Sequence, residues 1–171
     1  ALTRAAGGTP IDLGIAADTK ASLKRKLDGA ADSDLILTSA GVSVGDMDHT
    51  RDVFESLGGK QKFWKVKMRP GAPLAFGMLN DVPWVGVSGN PVSAMVSFEL
   101  FVRPVLRRLQ GYSALFRRTI KVTLEEDVKI AAKLTHFLRA VVSRGADGAF
   151  TARLTGIQSS GVLTSMVKAN A

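Results

Sequence analysis

The first two thirds of the chain alternate between short apolar runs and apolar stripes at helical spacing. Thr9 to Ile15 alternates loosely around Gly14 and predicts a short strand. Asp18 follows as a candidate N-cap, ahead of Leu23, Leu27 and Ala30 on one helix face. Leu35-Ile36-Leu37 predicts a fully buried strand. A glycine-bearing turn, Ser39 to Asp48, leads to a helix over His49 to Leu57, stopped by Gly58-Gly59. Lys62 to Met68 alternates charged and apolar groups, as a strand with one wet face does. Leu74 to Met78 and Val82 to Val87 bracket Asn80-Asp81, a hairpin signal.

Asn90 and Pro91 open the clearest helix, in which Met95, Phe98, Val102, Val105 and Leu109 recur at steps of three and four. Pro104 should kink it and Gly111 should end it. The pattern then changes. Arg117 to Leu124, Leu134 to Val142 and Ala149 to Leu154 are strand-like, with no long helical period. The expected organisation is an α/β unit over 1–111, a three-layer α/β/α arrangement with a mostly parallel sheet. A small, incomplete β-barrel-like unit follows over 112–171. A doubly wound unit calls for a strand ahead of Ala1, and about three strands are too few for a closed barrel, so a longer parent chain is expected.

Composition narrows the chemistry. The 171 residues contain no cysteine, which excludes a disulfide scaffold, a cysteine nucleophile and a thiolate metal site. The longest uncharged run, Val82 to Phe98, is broken by Pro83, Gly86, Gly89, Asn90 and Pro91, unlike a membrane span. No signal-peptide pattern opens the sequence, and a reducing, cytoplasmic setting fits. The net charge is +8, from 23 basic and 15 acidic residues. These basic residues are scattered and carry no nucleic-acid-binding signature, so the charge reads either as a solvated surface or as a match for a small oxyanion.

Four segments are candidates for that chemistry. Thr38 to Asp48 runs from a buried strand through Gly41, Val42 and Ser43, a backbone able to turn its amides toward an anion. Gly86 to Ala94 repeats the strand, glycine turn and helix order, with Gly89 and Asn90 at the turn. Lys65, Lys67 and Arg69 would share one face of a strand, wet or occupied by an anion. Arg139 is a lone charge among apolar strand residues, and the loop Gly156 to Ser165 is rich in hydroxyls. Each has an ordinary structural alternative: a capped turn, a solvated face, an ion pair. His49 and His136 are isolated and suggest no metal site.

The order of these segments resembles the molybdopterin molybdenumtransferase family, the MoeA and gephyrin E-domain group. Thr38 to Asp48 is similar to its TSGGVSVGDxD motif, Lys65 to Pro73 to KVxMKPGKP, and Gly86 to Ala94 to GLPGNPVSA. Phe137-Leu138-Arg139-Ala140 and Gly156 to Asn170 resemble its C-terminal domain. Ala40 stands where the family pattern has glycine, Ser88 where it has proline, and Arg69 and Ala72 where it has lysine.

The resemblance implies molybdenum cofactor biosynthesis: insertion of molybdate into adenylylated molybdopterin with release of AMP. It implies Mg2+ held by Asp18 and Asp48, which with Lys65 are the catalytic candidates. Gly41, Val42, Ser43, Gly89 and Asn90 match the pterin and phosphate cradle, while Lys65, Arg69, Arg139 and Ser160 match molybdate donors. A homodimer is implied, with the molybdopterin adenylyltransferase as a possible further partner. The competing readings are an adenylyltransferase-like protein, which would lack the β unit, and a non-catalytic binding or scaffold module.

Overall fold

The structure is a computed structural model that describes residues 1–17, 19–40, 53–130 and 133–171. A four-stranded sheet organises the first unit, in the order β1-β5-β4-β2. Its strands are β1 (Ile36–Ser39), β2 (Lys60–Trp64), β4 (Leu74–Leu79) and β5 (Val82–Val87). Around it lie α1 (Leu2–Ala5), α2 (Lys20–Asp28), α3 (helical over 53–56), α4 (Pro91–Ser97) and α5 (Arg103–Leu109).

Strand alternation divides the core between the two faces of this sheet. Ile36, Ala75, Leu79 and Trp84 pack with Leu27, Ala30, Val53 and Phe54 from α2, α3 and their flanks. Leu74, Val85 and Val87 point the other way, against Ala6, Phe98, Val102 and Leu106. Trp84 anchors the first face: its ring centroid lies 4.4 Å from that of Phe54, and its indole Nε1 donates to Thr38 Oγ1 at 3.0 Å. The three-layer α/β/α reading therefore stands.

The sheet is mixed rather than mostly parallel. β1 and β5 are parallel, but β4 pairs antiparallel with both β5 and β2. The reason is local. Asn80 and Asp81 both hold positive φ, 47° and 67°, the geometry of a two-residue hairpin turn, and this forces β5 back along β4.

Several boundaries also differ from expectation. No strand forms over 9–15, where Ile11 and Ile15 are exposed and no described strand pairs with the segment. Helix α2 is capped by Thr19, whose Oγ1 accepts from the Ser22 amide at 3.2 Å, so the cap expected of Asp18 is taken by its neighbour. The strand expected over 62–68 breaks at Lys65, which holds φ 67°. Helix α4 opens as expected, with Asn90 Oδ1 accepting from the Ser93 amide at 3.3 Å and Pro91 in the first turn. Pro104 is accommodated by a π-helical stretch, Phe98–Val102, between α4 and α5. There the Arg103 amide reaches back to the Phe98 carbonyl.

The second unit holds a three-stranded sheet, β6-β9-β8, from β6 (Thr123–Leu124), β8 (Ala140–Arg144) and β9 (Phe150–Leu154). The described strands close no barrel. The single strand expected over Leu134–Val142 is two, because β7 (Thr135–His136) leaves to pair with β3 (Met68–Arg69). At the break, the Arg139 amide donates to Gln158 Oε1 at 2.8 Å instead of to a strand. A short helix, α6 (Thr164–Lys168), closes the hydroxyl-rich loop.

Candidate functional site

Three of the four candidate segments leave the sheet along one edge. Ser39, the last residue of β1, sits opposite Val87, the last residue of β5, and Val87 sits opposite Leu74, the first residue of β4. The Leu74 carbonyl in turn accepts from the Lys65 amide at 2.8 Å, just past the end of β2. One row of backbone thus runs Ser39, Val87, Leu74, Lys65. With strands about 4.8 Å apart, the row spans roughly 14 Å. It lies at the carboxyl ends of the two parallel strands, where open α/β sheets bind ligands.

The turn after β5 lies against the turn after β1. The Ala40 amide donates to the Val87 carbonyl at 3.1 Å, and Ala40 holds φ 71°, a left-handed conformation that favours glycine. A Cβ on Gly89 would stand 3.0 Å from the Ala40 Cβ, so a side chain there would crowd its neighbour. Asn90 is committed to its capping bond. Gly41, Val42, Ser43 and Asp48, and separately Asp18, lie outside the described residues. Among the described residues no group of three or more His, Asp or Glu could hold a metal ion.

The cationic segment does not present one face of a strand. Lys65 is exposed in its left-handed conformation, with its Nζ 4.3 Å from the centroid of the Trp64 ring. Lys67 and Arg69 are exposed too, but on the stretch that has crossed to the second unit. There Thr135 N donates to the Lys67 carbonyl at 3.0 Å and Phe137 N to the Arg69 carbonyl at 2.9 Å. This ladder sets Arg69 opposite His136, three residues before Arg139.

Arg139 is 3% exposed, and among the described residues no carboxylate pairs with it. Its Nε donates to Ser165 Oγ and its Nη2 to the Ser159 carbonyl, each at 3.1 Å. Its own carbonyl accepts from Thr155 and Gln158. Burial pushes its pKa down from the ordinary arginine value. A guanidinium has five donors, and neutral oxygens neutralise none of its charge. The expected serine, Ser160, is half-buried in the same turn, whereas the bonds to Arg139 come from Ser159 and Ser165. Sequence reading placed Ser165 only within a polar loop; its role depends on a contact across 26 residues that no spacing encodes.

Comparison with known proteins places the chain in a family. Residues 1–108 match the family described as a probable molybdopterin binding domain, and residues 121–171 match the MoeA C-terminal region, domain IV. The chain is 35% identical over 162 residues to a molybdopterin molybdenumtransferase of Haemophilus influenzae, covering 94% of this chain and 40% of that protein. It is 35% identical over 137 residues to the Staphylococcus aureus protein of the same name, covering 80% of this chain and 32% of that one. A molybdenum cofactor biosynthesis protein from Pyrococcus furiosus superposes with a TM-score of 0.75 at 26% identity, over 99% of this chain and 53% of the other. A molybdopterin biosynthesis MoeA protein from Pyrococcus horikosii gives 0.69 at 28% identity, over 98% and 39%. The chain belongs to the MoeA family of molybdopterin-binding proteins. It spans less than half the length of these curated relatives.

Proposed function

We propose that this chain is the molybdopterin-binding domain and part of the C-terminal β domain, divided as 1–111 and 112–171, of a molybdopterin molybdenumtransferase. The reaction is insertion of molybdate into adenylylated molybdopterin with release of AMP. The observation that carries this reading is Arg139. A buried guanidinium without a carboxylate partner among the described residues is costly unless an anion neutralises it. Molybdate is a dianion, and Arg139 offers it a donor fork already held by Ser159 and Ser165.

Each remaining segment takes a part of the same substrate pair. Gly41, Val42, Ser43, Gly89 and Asn90 cradle the pterin and its phosphates, at the end of β1 and the start of α4. Lys65 and Arg69 add charge to the oxyanion site with Arg139 and Ser160. Arg69 in place of lysine keeps the charge and offers a planar fork. Asp18 and Asp48 hold Mg2+, which when bound offsets phosphate charge as the phosphoanhydride is cleaved. The enzyme works as a cytoplasmic homodimer and takes its pterin nucleotide from the molybdopterin adenylyltransferase. No helix among the described residues is long and apolar enough to cross a membrane. The match of 121–171 to the MoeA C-terminal region supports insertion over an adenylyltransferase-like activity.

Equilibrium binding tests the reading. Arg139→Ala in the full-length protein should lose molybdate affinity at least tenfold while adenylylated molybdopterin binds nearly as before. An equal loss of both with the fold intact removes Arg139 from the molybdate site.

A further inference from the structure

Two buried polar atoms have no hydrogen-bond partner among the described residues, and one of them, Ser97 Oγ, lies against the cationic segment. Ser97 is the last residue of α4 and is fully buried. Facing it is Gly71, also buried, at φ 96°. A Cβ on Gly71 would stand 2.5 Å from Ser97 Oγ, 3.1 Å from Met68 Cε and 3.5 Å from the Ser93 carbonyl oxygen. The Pro70-Gly71 turn is therefore pressed onto one face of α4, between Ser93 and Ser97, which lie four residues apart and so one above the other.

This contact has consequences at both ends. Arg69 is exposed and stands one residue before the buried Pro70. Helix α4 begins at the Gly89-Asn90 turn. The seating of Gly71 on Ser97 therefore fixes the cationic segment relative to the helix that carries the proposed pterin cradle. A serine inside a helix ordinarily returns its hydroxyl to the carbonyl one turn back. Here the hydroxyl is left unpaired, on the side of the helix where the Gly71 backbone packs. An unpaired buried hydroxyl is unfavourable for stability, so stability does not account for this side chain, whereas its small size fits the space left by Gly71.

We propose that Ser97 is a positioning residue for the oxyanion site: its size seats the Pro70-Gly71 turn and thereby sets where Arg69 stands. The proposal rests on the reading of Arg69 as a molybdate donor. It is tested by calorimetric titration of the full-length protein with molybdate, using Arg69→Ala, Ser97→Val and the double variant. Valine puts a methyl group where the hydroxyl meets Gly71. Each single substitution should weaken molybdate binding at least fivefold. Adenylylated molybdopterin affinity should stay within twofold for Ser97→Val, and the double variant should bind molybdate no worse than Arg69→Ala alone. The same loss from Ser97→Val in both backgrounds, or no loss in either, overturns the positioning role. If Ser97→Val does not fold, Ser97→Thr, which adds one methyl group and keeps the hydroxyl, takes its place in the comparison. Unchanged molybdate affinity in Arg69→Ala alone removes Arg69 from the site, and the role of Ser97 with it; that failure is read before any Ser97 variant is measured.

Discussion

Ala40 and Gly89 meet across two neighbouring turns: Ala40 holds φ 71°, and a Cβ on Gly89 would lie 3.0 Å from the Ala40 Cβ. With a side chain at both positions these turns would be crowded, and Ala40 carries left-handed strain of about 1 kcal/mol. Ala40→Gly should therefore raise stability by up to about 1 kcal/mol, less what the freer unfolded chain takes back. Gly89→Ala should lower it by about 1–3 kcal/mol through overpacking, and Ala40→Gly should recover part of that loss. Thermal melts of the four proteins check this. A lower melting temperature for Ala40→Gly would show that the left-handed conformation is not what the sequence strains to hold.

The hairpin turn offers a second test of backbone strain. Asp81 holds φ 67° as the second turn residue after Asn80, a place that glycine fills best. Asp81→Gly should stabilise the protein by about 0.5–1 kcal/mol in chemical denaturation. A loss of similar size would mean that the Asp81 side chain contributes more than its backbone strain takes away.

The cap of α2 separates two adjacent residues. Thr19 Oγ1 accepts from the Ser22 amide, so Thr19→Ala should cost about 1 kcal/mol. Asp18→Asn and Asp48→Asn should leave stability within about 0.5 kcal/mol, the usual range for changes that break no specific structural feature. In the full-length protein both should cleave adenylylated molybdopterin poorly if these carboxylates hold Mg2+. Turnover within a few-fold of wild type for either variant would assign that residue a structural role alone.

Much of this architecture was legible in the sequence. Asn90-Pro91 gave the start of α4, Asn80-Asp81 the hairpin, and Gly58-Gly59 the end of α3, where the Gly59 amide bonds back to the Phe54 carbonyl at 2.8 Å. These signals are local: each residue's own backbone preference or side-chain bond fixes the turn. What escaped is non-local. Lys62 to Met68 alternates like one strand, but left-handed Lys65 ends β2 and hands Met68 and Arg69 to a pairing with residues beyond 130. Leu134 to Val142 likewise reads as one strand, and only the side chain of Gln158, 19 residues on, shows why it breaks at Arg139. Arg139 stood out in sequence as a lone charge; its burial and its bond to Ser165 required the fold.

The segment that joins the two units is fastened by charge. Arg117 Nε lies 2.7 Å from Glu99 Oε2, Arg107 Nε donates to the Ala114 carbonyl at 2.8 Å, and the Arg107 guanidinium carbon lies 4.0 Å from the Tyr112 ring centroid. The Glu99 carboxylate raises the Arg117 pKa above its ordinary value. Arginine stays protonated across the working range of the protein, so Glu99 and not a rise in solution pH is the variable to change. Glu99→Gln should cost no more than about 0.5 kcal/mol, because Arg117 is mostly exposed. It should also make the 112–117 segment more susceptible to limited proteolysis. Unchanged cleavage in this segment would show that the bonds from the Arg103 and Arg107 side chains to the Leu115 and Ala114 carbonyls hold it unaided.

The most direct test of the proposed function is AMP release from adenylylated molybdopterin by the full-length protein, followed as molybdate is titrated with Mg2+ present. Release should rise with molybdate and saturate, and Arg139→Ala should need at least tenfold more molybdate to reach the same rate. AMP release that is absent, or that proceeds equally without molybdate, would contradict the assignment of this chain to molybdate insertion.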